Sequence, residues 1–268
     1  MRRLSSIGYV LAAALVSGCV SDASASFRYG VGGGGGGGGA AVAESLTPSS
    51  GTPSSIADAA TLDAGLFAGW KVADPYGIFN SMSDDGITFD VAFDRGTGGT
   101  SSLNLSNAYL TQGRIFYPEQ IEGDFEMTMR VDQSANAAHT ATEIAIMAGA
   151  GNTTNEAHHI AHRYGDYLTA TAAYKRTFAA GGGNKEENGT TAISRTAAPR
   201  WVRLQRVGQT IRYSEGGTAS TPSWTDVDEE WDTGGATVDI GVAFYAGSTT
   251  EETYRIYEVT LTGTERAP

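Results

Sequence analysis

Residues 201–227 read WVRLQRVGQTIRYSEGGTASTPSWTDV, and this stretch has the pattern of a β-hairpin. Two short runs of alternating apolar and polar residues flank Gly208, and a Gly-Gly turn and Trp224 follow them. Because successive side chains of a strand point to opposite faces of a sheet, such alternation is typical of a strand with one buried face. The stretch therefore predicts two paired antiparallel strands.

The same period of two recurs in other parts of the chain. It is clearest in GDFEMTMRVD at 123–132 and is repeated in GITFDVAF at 86–93 and TEIAIMAG at 142–149. Residues 156–178 predict two further strands that reverse near Gly165, because turn residues interrupt the alternation there. A helical period of 3.6 fits nowhere for more than two turns. Many short strands separated by turns indicate an all-β sandwich or jelly roll.

Strand alternation also predicts which side chains face the core. The positions predicted to lie in or beside the core are Ile87, Phe89, Val91, Phe93, Phe125, Met127, Met129, Val131, Ile144, Ile146, Leu204 and Trp224, and those predicted to face outward are Glu126, Thr128, Arg130 and Asp132.

Composition argues against a disulfide-stabilised domain and against a nucleic-acid-binding protein. The chain has 268 residues, a formal net charge of -12 and one cysteine, so no disulfide can form within it. An acidic surface without a Lys/Arg cluster repels the phosphates of nucleic acid. We therefore expect no nucleic-acid partner.

The N-terminus has the pattern of an export signal. Arg2 and Arg3 precede an apolar stretch that ends at Val16, and small residues lead directly to Cys19. The sequence LVSGC resembles the lipobox of bacterial lipoproteins, which implies removal of residues 1–18 and acylation of Cys19, as with palmitate. In such lipoproteins an aspartate directly after the cysteine favours retention in the inner membrane, and this chain has Val20 at that position. The resemblance implies a protein lipid-anchored at the cell envelope, with the outer membrane favoured.

Residues 19–57 are rich in Ser, Ala and Gly and include an uninterrupted glycine run, Gly32–Gly39. A Gly-rich chain of this length spans about 35 Å as a random coil. We interpret this segment as a flexible tether and expect the folded domain to occupy residues 58–268.

The hairpin at 201–227 resembles a late hairpin of the concanavalin A-like lectin and glucanase superfamily. In related bacterial domains a run W-x-R-L-x-R-x-G is followed by a strand, an S-x-D-G loop and a tryptophan. The matching residues are Trp201, Arg203, Leu204, Arg206, Gly208, Ser214, Gly216 and Trp224. Glu215 stands where aspartate is usual, and the loop before Trp224 is longer. The resemblance covers most of residues 65–264 and implies a two-sheet antiparallel jelly-roll sandwich.

The resemblance leaves the activity open, since the superfamily contains binding proteins, hydrolases and structural modules. Its glucanases carry an E-x-D-x-E-like cluster on one strand, because retaining hydrolysis needs two carboxylates about 5–5.5 Å apart. Glu143 is the one carboxylate in the matching run here, and alanine occupies positions 145 and 148. The acidic run DVDEEWD at 226–232 is interpreted as a loop. A hydrolase group acting on 3-keto-disaccharides shares the GDFE pattern, so a glycoside hydrolase stays as the alternative function.

Metal sites are not predicted. On a strand, His158 and His162 lie about 13 Å apart along one face and His159 lies on the other. The aspartates at 84, 85 and 94 have no spacing that singles out a calcium loop. We expect no cofactor.

Outward positions on neighbouring strands predict a ligand-binding group of Glu143, His159, Arg163 and Tyr167. The prediction is a non-catalytic binding module for carbohydrate or another envelope polymer. A purely structural or adhesive surface domain is the third class that the sequence allows.

Overall fold

A computed structural model of the chain describes residues 39–95, 113–133, 142–149, 155–164, 170–179, 182–192, 199–231, 237–246 and 250–267. For residues 155–164, 170–179 and 182–192 the description is of the backbone path and the strand register, and the same holds for Gln133, Thr142, Glu143, Glu230, Trp231, Tyr245 and Ala246. These ranges contain β-strands and no α-helix.

The sixteen strands of the described ranges are β1 Ala41–Leu46, β2 Lys71–Ala73, β3 Phe79–Asp84, β4 Phe89–Phe93, β5 Gly113–Phe116, β6 Ile121–Glu122, β7 Phe125–Gln133, β8 Thr142–Gly149, β9 Asn155–Tyr164, β10 Ala170–Ala179, β11 Gly182–Ala192, β12 Arg200–Val207, β13 Thr210–Gly217, β14 Thr225–Trp231, β15 Thr237–Ala246 and β16 Glu252–Thr264.

The strands form two antiparallel sheets of eight strands each. Sheet A has the order β14-β13-β12-β7-β16-β4-β3, with β1 also pairing to β16. Sheet B has the order β11-β10-β9-β8-β15-β5-β2, with β6 also pairing to β15. This is the all-β, two-sheet antiparallel sandwich that the sequence predicted.

The core lies between the inner faces of the two sheets. Met127 and Met129 of β7 are fully buried and face Ile144 and Ile146 of the second sheet within one hydrophobic cluster. Aromatic rings fill the cluster towards β4 and β15, where Phe93 packs edge-on against Phe244 with ring centroids 5.4 Å apart. Burial of apolar surface is the main favourable term that such a cluster supplies. The predicted core residues Phe89, Val91, Phe93, Phe125, Met127, Met129, Val131, Ile144, Ile146 and Leu204 are confirmed as buried.

One face prediction was wrong, and one outward residue is buried. Ile87 is 72% exposed because it lies in the turn before β4, where the alternation has not yet begun. Thr128 does lie on the outer face, but it is buried there, and its hydroxyl shares a hydrogen bond of 2.6 Å with Thr260. Outward residues of this sheet are therefore not all solvated.

The folded domain begins earlier than the predicted boundary at residue 58. Strand β1 lies within the segment assigned to the tether and pairs with β16 from Ala41 opposite Thr264 to Leu46 opposite Val259. Val42 and Leu46 are buried in the core cluster. The Ser- and Ala-rich composition of this segment concealed two apolar residues spaced four apart, which one face of a strand can bury.

The acidic run at 226–232 was also misinterpreted. Residues 225–231 form β14, the edge strand of sheet A, and Arg212 of β13 donates a hydrogen bond of 2.8 Å to Glu229. A row of charges is typical of an edge strand, because charges discourage pairing with another chain.

The strand directions give the sandwich two distinct ends. The chain enters at Ala40, whose carbonyl oxygen accepts a hydrogen bond of 2.7 Å from Glu265, so the incoming segment lies beside the end of β16. We call this end the tether pole. The opposite end, the loop pole, holds the start of β16 and the ends of β7 and β15. Segment 218–224, between β13 and β14, also lies at the loop pole.

Candidate functional site

Two of the four predicted ligand residues are brought together at the loop pole. Glu143 is the second residue of β8, and Arg163 is the next-to-last residue of β9. Their Cα atoms are direct partners in the antiparallel register. Directly opposed residues on neighbouring strands lie about 4.5–5.5 Å apart at Cβ. The backbone therefore supports the pairing of these two positions.

The other predicted residues are not brought to this pair. His159 is opposite Met147, four residues along β9 from Arg163 and so about 13 Å away. Tyr167 lies outside the described residues, as does Cys19.

Apolar residues follow Glu143 along β8. Ala145 and Met147 follow it at alternate positions of β8, and Tyr245 of β15 is its partner on the other side. Ala145 and Met147 are 2% and 1% exposed, although neither belongs to the cluster between the sheets. The outer face of sheet B is therefore covered at these positions.

A second group of side chains lies on the outer face of sheet A, at the loop pole. It consists of Trp201 and Arg203 of β12, Ser214 of β13, Trp224, and Asp226 of β14, and we call it the tryptophan–arginine cluster. Trp201 is buried, and its indole nitrogen donates a hydrogen bond of 2.9 Å to the carbonyl oxygen of Ala219. The rings of Trp201 and Trp224 meet edge-on with centroids 6.4 Å apart.

Arg203 connects the members of this cluster. Its guanidinium lies 4.6 Å from the centroid of the Trp224 ring and donates hydrogen bonds of 3.0 and 3.3 Å to the hydroxyl of Ser214. The Ser214 hydroxyl donates in turn to Asp226 at 2.7 Å. Carboxylate oxygens of Asp226 and Glu126 lie 3.7 and 3.6 Å from the guanidinium. The two carboxylates therefore offset the positive charge of Arg203. The guanidinium also covers one face of the Trp224 indole.

Gly216 permits this packing. A Cβ atom at this position would lie 2.6 Å from Pro222, 2.7 Å from Trp201 and 2.9 Å from Trp224. Any larger residue would push the loop that carries Trp224 away from the sheet. The backbone of Ser223 donates a hydrogen bond of 3.1 Å to Gly216, which fixes the same loop.

Glu215 forms an ion pair with Arg200 across the hairpin. Both side chains are largely buried at the loop pole. The glutamate that replaces the usual aspartate of the hairpin motif is therefore engaged by a cation from the neighbouring strand.

A third polar group lies nearby on sheet A and contains Asp90, Arg130, Asp132, Arg255 and Tyr257. The Tyr257 hydroxyl donates a hydrogen bond of 3.0 Å to Asp132, and Arg130 lies 5.3 Å from the Tyr257 ring centroid. One carboxylate oxygen each of Asp90 and Asp132 is buried without a hydrogen-bond partner. Arg255 bridges the two carboxylates in the strand register and lies 3.6 Å from Asp90.

Burial governs the ionisation of this group. It raises the pKa of the Asp132 carboxyl above its ordinary value, although the hydrogen bond from Tyr257 and the charge of Arg255 act in the opposite direction. Burial and the neighbouring Asp132 carboxylate together raise the pKa of Tyr257 to about 12. Tyr257 therefore stays protonated, as a hydrogen-bond donor, throughout the neutral range.

Within the described part of the chain, His, Cys, Asp and Glu residues form no group of three or more that could hold a metal ion. No helix in that part is long and apolar enough to cross a membrane.

The sequence interpretation missed the tryptophan–arginine cluster as a polar site and treated Trp224 as part of the core or its rim. Trp224 is half-buried and lies outside the core cluster. Part of the cluster could have been predicted by counting residues outward from the turn at Gly208. Val207 pairs with Thr210, and the antiparallel register then places Arg203 opposite Ser214.

Comparisons with known proteins bear on the fold. No protein-family profile matches the sequence, and no curated protein matches it. A functionally unknown protein from Saccharomyces cerevisiae superposes with a TM-score of 0.51 at 12% identity, over 74% of this chain and 97% of that chain. This likeness shows the fold alone.

Two other solved structures are less similar. A mutant of the GH43 protein BlXynB from Bacillus licheniformis has a TM-score of 0.49 at 13% identity, over 78% of this chain and 38% of that chain. The basic winged bean lectin with Tn-antigen has a TM-score of 0.48 at 7% identity, over 84% of this chain and 99% of that chain. This chain thus spans less than half of the GH43 protein, and neither likeness carries a functional argument.

Proposed function

We propose that the protein is a lipid-anchored module of a bacterial cell envelope that binds a carbohydrate or another envelope polymer and does not hydrolyse it. Removal of residues 1–18 leaves an acylated Cys19, and the outer membrane is the favoured location. The acyl chains hold the protein at the membrane, and the tether separates the sandwich from it.

The observation that carries the proposal is the opposition of the two poles. The chain reaches the sandwich at the tether pole, where β1 begins beside the end of β16. Glu143, Arg163 and the tryptophan–arginine cluster all lie at the loop pole. An anchor at one end leaves the polar and aromatic residues of the other end accessible to a ligand away from the membrane.

The register around Glu143 favours binding over hydrolysis. The nearest positions on the same face of the sheet are Ala145 along β8, Arg163 on β9 and Tyr245 on β15. None of them is acidic, whereas retaining hydrolysis needs a second carboxylate about 5–5.5 Å away.

Anchoring is tested by mass spectrometry of the protein isolated from membranes of its bacterial host. We expect a mature N-terminus at Cys19 that carries acyl chains, and we expect Cys19→Ala to abolish membrane retention or stall processing. An unmodified secreted protein that begins at another residue would contradict the anchor.

Binding is tested with the full chain and a panel of glycans that includes peptidoglycan. Arg163→Ala is expected to weaken binding by at least fivefold, which corresponds to about 1 kcal/mol. Sugar release that disappears in Glu143→Gln would favour the glycoside hydrolase instead. A chain that binds no glycan would support the structural or adhesive surface domain.

A further inference from the structure

Trp224 lies beside exposed hydrogen-bonding groups. The residue is half-buried, and its chain neighbours Ser223 and Thr225 are exposed. The carboxylate of Asp226 has a side-chain exposure of 53% and uses Oδ1 to accept the Ser214 hydrogen bond. An aromatic surface and hydroxyl-accepting groups therefore lie side by side at the loop pole.

The Trp224 ring is held in place by its neighbours before any ligand binds. Trp201 supports the edge of the Trp224 ring, Arg203 covers one of its faces, and Gly216 lets the loop lie close to the sheet. A ring held on several sides loses little conformational freedom when a ligand binds. If the cluster served only to support the fold, the carboxylate of Asp226 would not need to be exposed.

The chemistry of the cluster selects among ligands. A pyranose has an apolar C–H face that packs on an aromatic ring and hydroxyls that donate to a carboxylate. A cationic ligand is disfavoured, because the Arg203 guanidinium already occupies the cation position 4.6 Å from the ring centroid. An acidic sugar is disfavoured by the carboxylates of Asp226 and Glu126 beside that guanidinium.

We infer that the tryptophan–arginine cluster binds a neutral pyranose residue of a glycan, with Trp224 as the stacking surface and Asp226 as the acceptor for sugar hydroxyls. The inference rests on the proposed function and adds a contact region on sheet A, separate from Glu143 and Arg163 on sheet B.

The test is isothermal titration of the purified full chain with cellopentaose, mannopentaose and xylopentaose, and with a pentamer of galacturonate as the acidic probe. We expect a neutral pentasaccharide to bind. Trp224→Ala and Asp226→Asn should each weaken that binding at least tenfold, whereas Trp224→Phe should retain most of it. The matched control is Glu229→Gln, since Glu229 is an equally exposed carboxylate on the same strand that pairs with Arg212.

Near-ultraviolet circular dichroism of each variant separates loss of binding from loss of fold, and Asp226→Asn keeps the oxygen that accepts from Ser214. If a neutral pentasaccharide binds and Trp224→Ala and Asp226→Asn both bind it like the wild type, the inference is wrong and the proposed function stands. Binding of the galacturonate pentamer alone also overturns the inference. If no pentasaccharide binds at millimolar concentration, the proposed carbohydrate function fails together with it.

Discussion

Arg203 has several partners, drawn from three strands and from the loop that precedes β14. The side chain is only 16% exposed, and its contacts with Ser214, Trp224 and Asp226 would all be lost on truncation. A buried hydrogen-bonding partner left unsatisfied costs free energy in addition to the lost interaction. The contribution of this arginine to stability should therefore exceed that of an ordinary surface cation.

Arg203→Ala should lower the free energy of unfolding by about 1–3 kcal/mol, through the lost hydrogen bonds and the lost stacking on Trp224. The matched control is Arg212→Ala on the paired strand, whose side chain is 43% exposed and forms an ion pair with Glu229. Exposed ion pairs contribute little, so this control should unfold like the wild type. Urea titrations followed by circular dichroism measure both, and equal losses would contradict the assignment.

Asp132 should make stability depend on pH with a sign that is unusual for a carboxylate. Its pKa in the folded state is raised above the ordinary value of 3.8, chiefly by burial. The folded state therefore binds a proton more readily than the unfolded state. This stabilising contribution is complete below the ordinary pKa and is lost as the pH rises through the raised one.

Asp132→Asn removes this dependence, because an amide does not titrate in that range. The stability of the variant relative to the wild type should therefore improve as the pH rises from about 3.5 towards 7. Urea unfolding at a series of pH values measures the difference, in which the other carboxylates cancel. A difference that is constant with pH, or that favours the wild type more at pH 7, would show that the folded-state pKa is not raised.

At the scale of the strand, adjacent residues of β16 point to opposite faces. Leu261 is fully buried against the core, whereas Thr262 is exposed on the outer face. Leu261→Ala should lower the free energy of unfolding by about 2–5 kcal/mol, and Thr262→Ala should change it by less than about 0.5 kcal/mol. Similar losses at the two positions in denaturant titrations would mean that the faces are assigned wrongly.

Strands whose signal is local could be predicted from the sequence. Strand β7 has four apolar residues at alternate positions, and the β12–β13 hairpin is closed by a short turn at Gly208, so pattern and register both follow from nearby residues. Strand β14 could not be recognised, because five of its seven residues are polar and its pairing depends on the neighbouring strand β13. Alternation carries little information where Val227 is the one residue of the strand with a described side chain that packs against the core.

The candidate site was less accessible to prediction. The opposition of Arg203 and Ser214 can be counted from the turn, but Asp226 reaches Ser214 only after a register shift at Tyr213 and a loop of irregular length. The register of Glu143 with Arg163 depends equally on the connection between β8 and β9, whose length does not fix a turn type. Burial of Ala145 and Met147 depends on the residues that cover the outer face of the sheet, and the alternation of apolar and polar residues along β8 does not predict that cover.

Strand β1 gives a direct test of where the domain begins. A chain shortened to start at residue 58 loses the pairing with β16 and exposes the core around Val42 and Leu46, each worth roughly 1.5–3 kcal/mol when buried. It should unfold at lower denaturant concentration than a chain that starts at residue 39. Equal midpoints for the two chains would show that the first strand contributes nothing to the sandwich.

For the whole molecule, the start of the folded domain and the proposed binding residues lie at opposite ends. The net charge of -12 disfavours an acidic polymer as the ligand, because like charges repel across the whole surface. Raising the salt concentration should therefore leave the binding of a neutral glycan nearly unchanged, since screening acts on charged partners.

The central claim is that the chain binds a glycan and leaves it intact. The most direct measurement is affinity electrophoresis of the full chain through gels containing each of a panel of soluble polysaccharides, with reducing ends assayed in parallel after long incubation. The account predicts retarded migration with at least one neutral polysaccharide and no increase in reducing ends. New reducing ends that vanish in Glu143→Gln, or unretarded migration with every polysaccharide, would contradict it.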